Sequence, residues 1–195
     1  MTSVLDRNLF FVREHVGMFK AANNFDILDP ETGEELLHCR EPNLGGFTKI
    51  LRFTDYKRMT PFDVRVTTPA GEPVLQVTRG ISIFLSKVEV DDASGENLGG
   101  FQQKLFSIGG KFELQDPGGT PLCMLAGKWT GWNFKFMRGD QELAHVTKKW
   151  SGLGKELFTS ADNYILEISD AVPAGAPLRK LILSSVLCID MVLKE

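Results

Sequence analysis

Along most of this chain, apolar and polar residues alternate over short stretches separated by glycine-bearing turns. Phe25-Asp26-Ile27 leads through Asp29-Pro30-Glu31-Thr32-Gly33 to Glu35-Leu36-Leu37. Phe62-Asp63-Val64-Arg65-Val66 leads through Pro69-Ala70-Gly71 to Val74-Leu75-Gln76-Val77. Val88-Glu89-Val90 leads through Asp92-Ala93-Ser94-Gly95 to Leu98, and Phe112-Glu113-Leu114 through Asp116-Pro117-Gly118-Gly119 to Leu122-Cys123-Met124-Leu125. Phe134-Lys135-Phe136 leads through Arg138-Gly139-Asp140 to Leu143-Ala144-His145-Val146. A period of two sends one side-chain set inward and the other outward, so these stretches predict strands. The glycine of each turn supplies the positive φ that a tight hairpin needs. Gly71, Gly95, Gly119 and Gly139 fall 24, 24 and 20 residues apart, the length of two strands and two connections. Five hairpins and the further stretch Tyr164-Ile165-Leu166-Glu167-Ile168 imply eleven or twelve strands. A meander of that size leaves costly open edges unless it closes.

The pattern changes after Pro173-Ala174-Gly175-Ala176-Pro177. Residues 178–194 read as one helix whose apolar positions, from Leu181 to Leu193, point in every direction. Such a helix is buried in a core or spans a membrane. Thirteen residues interrupted by Ser184, Ser185 and Asp190 fall short of the ~20 that a span needs. A closed barrel of about twelve strands is too wide for its own side chains to fill. The expectation is therefore a mainly β chain. One domain over residues 1–195 forms a closed, roughly twelve-stranded antiparallel barrel, with strands over about 8–170 and a central hydrophobic C-terminal helix.

Composition narrows the function. The formal net charge of −3 argues against bulk attraction to nucleic acid. Cys39, Cys123 and Cys188 are scattered and form no Cys-x-x-Cys pair, so neither a zinc site nor a disulfide framework is expected. No signal-peptide core can be drawn through Asp6, Arg7, Arg13 and Glu14. These features predict a cytoplasmic chain, peripheral where it meets a membrane. Gly152-Leu153-Gly154-Lys155 is no phosphate loop, because Lys149 and Glu156 stand where a glycine and a hydroxyl residue are needed. His15, His38 and His145 are dispersed, and no catalytic motif is present in the sequence. An enzyme is not expected.

Strands wrapped around a C-terminal hydrophobic helix resemble the Tubby C-terminal-like fold. Within it, the run from Val146-Thr147-Lys148-Lys149-Trp150-Ser151-Gly152 through Glu156-Leu157-Phe158-Thr159-Ser160-Ala161-Asp162-Asn163-Tyr164 resembles the phospholipid scramblase family in a short, bacterial-type form. Val12-Arg13-Glu14, Phe25-Asp26-Ile27, Gly109-Gly110-Lys111-Phe112 and Leu187-Cys188-Ile189-Asp190 extend the likeness over about residues 8–195. The resemblance implies membrane-associated movement of phospholipids between leaflets in response to Ca²⁺, without covalent chemistry. It also implies a calcium segment before the last helix, matching Asp162, Asn163 and Asp170 here. Ser160 replaces the leading acid, so a site with two carboxylates is expected to bind Ca²⁺ weakly. The proline-rich extension and cysteine cluster of eukaryotic members are missing from this sequence.

Two basic stretches suit a phospholipid headgroup surface. Lys49, Arg52, Lys57 and Arg58 form one, and Lys148, Lys149 and Lys155, with Trp150 among them, form the other. Each cation near anionic lipid contributes ~1 kcal/mol. The alternative is a soluble Tubby-like binding module for lipid headgroups, an apolar ligand or a protein partner. The position of the last helix separates the two, since a barrel-buried helix favours the module.

Overall fold

A computed structural model describes residues 3–15, 22–51, 60–81, 87–103, 111–128, 132–148 and 163–193. Twelve strands form one closed antiparallel barrel. They are β1 (Leu9–Glu14), β2 (Phe25–Leu28), β3 (Glu35–Arg40), β4 (Phe62–Thr67), β5 (Pro73–Arg79), β6 (Lys87–Asp92), β7 (Asn97–Gln103), β8 (Phe112–Gln115), β9 (Pro121–Lys128), β10 (Asn133–Arg138), β11 (Gln141–Thr147) and β12 (Asn163–Ile168). Each strand pairs with its neighbours in sequence, and β1 closes the ring on β12 with Phe11 opposite Ile165. The helix α1 (Gly46–Leu51) lies between β3 and β4, and α2 (Pro177–Leu193) follows β12.

The alternation does what period two requires. Phe62, Val64 and Val66 are buried in the core while Arg65 between them is exposed. Phe134 and Phe136 are likewise fully buried, and Lys135 faces out. The turn glycines Gly33, Gly71, Gly95, Gly119 and Gly139 all have positive φ, between 58° and 88°. Three hairpins repeat one turn. The amides of Thr68, Asp92 and Asp116 donate to the carbonyls of Glu72, Glu96 and Thr120 at 2.8–3.0 Å. Each glycine amide then donates back to the first residue of its turn. The register slips by one residue beside each of these turns, a bulge that adds twist and helps a sheet curl shut.

α2 lies inside the barrel. Leu181, Ile182, Leu183, Val186, Leu187, Cys188 and Ile189 are all at most 3% exposed, and Ser184 and Ser185 are as deeply buried. One core cluster joins these residues to the inward side chains of every strand. The helix lies closest to β7 and then β12. On β7, Gly99 and Gly100 leave no room for a Cβ, which would sit 2.1 Å from the Gln115 carbonyl oxygen and 2.0 Å from that of Val88. Backbone thus packs on backbone there, opposite the helix.

Arg179, in the first turn of α2, ties the helix to the chain that starts the barrel. It is 3% exposed. Its guanidinium donates to the carbonyls of Leu5, Asp6, Arg7 and Val172 and to Oδ1 of Asn8. Burial pulls its pKa below the usual arginine range, while the nearby charges of Asp6 and Asp170 oppose that pull. Five acceptors satisfy one buried cation.

Replacing Arg179 by Leu strands those carbonyls and should cost about 3 kcal/mol or more, read as a fall in the denaturant midpoint. Unchanged stability would mean that the segment before β1 is held by other contacts. Leu187→Asp introduces an unpaired charge into the apolar interior and should cost a large part of the ~5–15 kcal/mol of a typical domain. Melting within a degree or two of the parent would contradict an interior helix.

Candidate functional site

An up-and-down meander sends alternate connections to opposite ends of the barrel. The tight turns 29–34, 68–72, 93–96, 116–120 and 139–140 share one end with residues 3–8 and the start of α2. The connections 15–24, 41–61, 80–86, 104–111, 129–132 and 148–162 share the other. In the sequence, both basic stretches fall within the second set of connections, whose end is the loop end. Lys49 lies on α1, though its side chain is outside the described residues, as are Arg52, Lys57, Arg58, Lys149, Trp150 and Lys155.

Lys148 is described, and its surroundings are aromatic. Its Nζ lies 3.7 Å from the ring centroid of Trp132 and 5.1 Å from that of Tyr164. The two rings are 5.1 Å apart at 30°, and Trp132 also meets Phe134 edge-on at 6.1 Å. The negative face of an aromatic ring attracts a cation, most strongly when both are partly desolvated. Trp132 has φ +44°, a left-handed backbone that bulky residues rarely adopt. It ends the short connection between β9 and β10, where its ring meets Lys148, Tyr164 and Phe134. Sequence reading passed over Trp132 because its partners come from β10, β11 and β12.

The loop end also carries exposed apolar groups. Ile50 on α1 is 66% exposed and Ile81, just after β5, is 77% exposed. They are the exposed large hydrophobics among the described residues. Inside the same end, Arg79 points into the barrel, donates to the Thr60 carbonyl at 2.5 Å and stacks on Phe62.

Of the three residues expected for calcium, two are described, and they lie apart. Asp162 is outside the described residues. Asn163 begins β12, buried opposite Arg13, whereas Asp170 follows the far end of that strand and accepts a hydrogen bond from Asn8. A six-residue strand is about 20 Å long, so one ion cannot contact both. Asp170 instead borders an outer groove with Glu142 and Glu167. Among the described residues, no group of three or more His, Cys, Asp or Glu side chains is placed to hold a metal ion.

A charged cluster sits on the outer wall over β1, β2 and β3. Asp26 is 2% exposed and accepts from Arg13 at 2.8 Å and Arg40 at 2.6 Å, with His15 Nε2 also 2.6 Å away. Burial alone would raise its pKa, but the hydrogen bonds from Arg13, Arg40 and His15 outweigh that and hold it at about 2. The cysteines are inert by contrast. Burial pushes the Cys123 thiol up to about 12 and raises Cys39 and Cys188 as well.

The model of the Scramblase family matches residues 9–195, nearly the whole chain. No solved structure matches the chain.

The depressed pKa of Asp26 fixes a sign. Its carboxylate contributes stability above the unfolded value of 3.8, and that contribution is lost as pH falls towards about 2. Asp26→Asn should therefore cost about 2 kcal/mol at neutral pH and flatten the stability profile across that acid window. A variant with the parent's pH profile would show that the cluster is not coupled to folding.

Proposed function

The chain belongs to the Scramblase family, and from that premise we propose that it works as a folded, peripheral phospholipid-binding barrel. Its helix stays inside, and any movement of lipid between leaflets draws on partial insertion or a partner. The observation that carries this reading is the burial of α2 on all sides. Withdrawing the helix to cross a bilayer would empty the barrel. The seven apolar side chains from Leu181 to Ile189, buried at ~1.5–3 kcal/mol each, amount to about 10–20 kcal/mol, comparable to the whole ~5–15 kcal/mol of net stability a domain usually has. The inward residues of the strands would lose their partner at the same time. No helix of the described residues is long and apolar enough to cross a membrane.

Headgroup recognition in this reading rests on Lys148 and its aromatic neighbours at the loop end. Lysine, tryptophan and tyrosine together suit the level of lipid headgroups, where rings have one wet and one apolar side. The filled interior supports a surface site rather than an acyl chain held inside the barrel. Binding of this kind should be electrostatic and salt-sensitive.

Co-sedimentation with phosphatidylserine-containing vesicles should exceed that with pure phosphatidylcholine. It should weaken as salt shortens the Debye length below ~8 Å and fall when Lys148 and Lys149 are both changed to Glu. Equal binding to neutral and anionic vesicles would remove the electrostatic part. Rapid transbilayer movement of a labelled lipid with the protein as sole addition would replace the peripheral reading by direct scrambling.

A further inference from the structure

We infer that Trp132 and Tyr164 form a cup for a quaternary ammonium group, which Lys148 fills as an internal stand-in. Choline carries that chemistry, either as a lipid headgroup or as a free compound. The inference deepens the peripheral reading above and rests on it for the lipid source.

The cup is built by strand register. Asn133 pairs with Thr147, and Thr147 with Ile165. One step further along, Trp132, Lys148 and Tyr164 therefore fall in one row across the neighbouring strands β10, β11 and β12. Phe134, Val146 and Leu166 form the row two residues deeper, and all three are buried in the core. Side chains two apart share a face of a sheet, so the row of Lys148 faces the barrel interior at its mouth. Alternation calls for an apolar residue there, yet the middle position is a lysine.

Ring faces hold its ammonium. Nζ lies 3.7 Å from the Trp132 centroid and 5.1 Å from that of Tyr164, and the two centroids are 5.1 Å apart. Such a triangle puts the nitrogen above both rings and not between them. With their planes inclined at 30°, the rings make a shallow two-walled cup. Tyr164 is 2% exposed and anchored in the core, whereas Trp132 and Lys148 are half-buried and reach solvent.

A primary ammonium matches this cup poorly. It is compact and strongly hydrated, and its three N–H donors find only weak acceptors in aromatic faces. A trimethylammonium group has no donor to satisfy. Its charge is spread over methyl groups that pack on ring faces, which is why aromatic cages serve such cations. The left-handed backbone of Trp132 adds local strain of the kind found at ligand clamps. Lys148 directly follows β11 on a flexible four-carbon stem. It can therefore yield the cup and turn its charge to the phosphate of the same headgroup. The exchange keeps one cation on the rings and pairs the displaced one with an anion.

The indole N–H resonance of Trp132, assigned by its loss in Trp132→Phe, reports on the cup directly. Phosphocholine should shift it saturably. Phosphoethanolamine, which lacks only the methyl groups, should bind about tenfold more weakly. Equal affinity for the two means that phosphate alone is recognised and overturns the cup. Lys148→Met vacates the rings, so tetramethylammonium should bind this variant several-fold more tightly than the parent. Weaker binding to the variant, or none to either protein, overturns the stand-in role and the cup with it.

Vesicles separate the two sources of choline. Phosphatidylserine is mixed with phosphatidylcholine or with phosphatidylethanolamine in one fixed proportion, so that surface charge is equal. Tighter binding to the choline set that disappears in Trp132→Leu supports the lipid headgroup. A methyl preference in solution alone supports a free choline compound. Vesicle binding with no methyl preference in either arm overturns the cup and leaves the peripheral reading intact. Failure of the parent to bind any vesicle, with the soluble response retained, overturns the peripheral reading and not the cup.

Discussion

A closed ring of twelve strands encloses more space than the inward side chains can fill. The whole structure depends on meeting that constraint with one helix. α2 is apolar on every face because every face meets a strand, and its two serines are tolerated only in small volumes. Gly99 and Gly100 on β7 belong to the same solution, since close strands beside the helix leave no room for their side chains. Arg179 completes it from below by holding residues 5–8 and the start of the helix in one hydrogen-bonded knot. Arg79 points inward at the opposite end, so a buried cation stands near each mouth of the barrel.

Up-and-down topology then divides labour between the two ends. Twelve is an even number, so β1 starts and β12 finishes at the same end. α2 can turn straight back into the barrel from there. The hairpin end is spent on closure, with short turns, capped amides and acids that hold them, such as Asp92 and Asp116. Long connections are left to the other end, free to carry chemistry.

The architecture was legible because it is written in local patterns. Alternation marked ten strands in five hairpins, and the glycines marked the turns where φ is indeed positive. The stretch from Tyr164 marked an eleventh, and the twelfth is β1, which has no hairpin turn of its own to announce it. The helix was expected over 178–194 and runs from Pro177 to Leu193. Contacts between residues distant in sequence were not legible. Nothing in the sequence singled out Arg179, and only the fold brings Leu5, Asp6 and Arg7 to it. Asp26 looked like an outward strand residue, yet Arg13 and Arg40 bury it. Lys148 was found as part of a basic run, but Trp132 was not found with it. Asp162, Asn163 and Asp170 are close in number, and an extended strand sets the last of them at the other end of the barrel from Asn163.

The position of α2 after all twelve strands has a consequence for how the chain comes into being. Each strand leaves the ribosome before the element that will serve as its core has been made. A partly synthesised ring has hairpins with an apolar inner face and nothing to cover it, and β1 waits for a partner more than 140 residues downstream. Early strands can pair locally, but the cooperative step needs the helix, so the barrel cannot close on a core before α2 has been made. Until then the nascent barrel is an open trough whose apolar inner face has no cover.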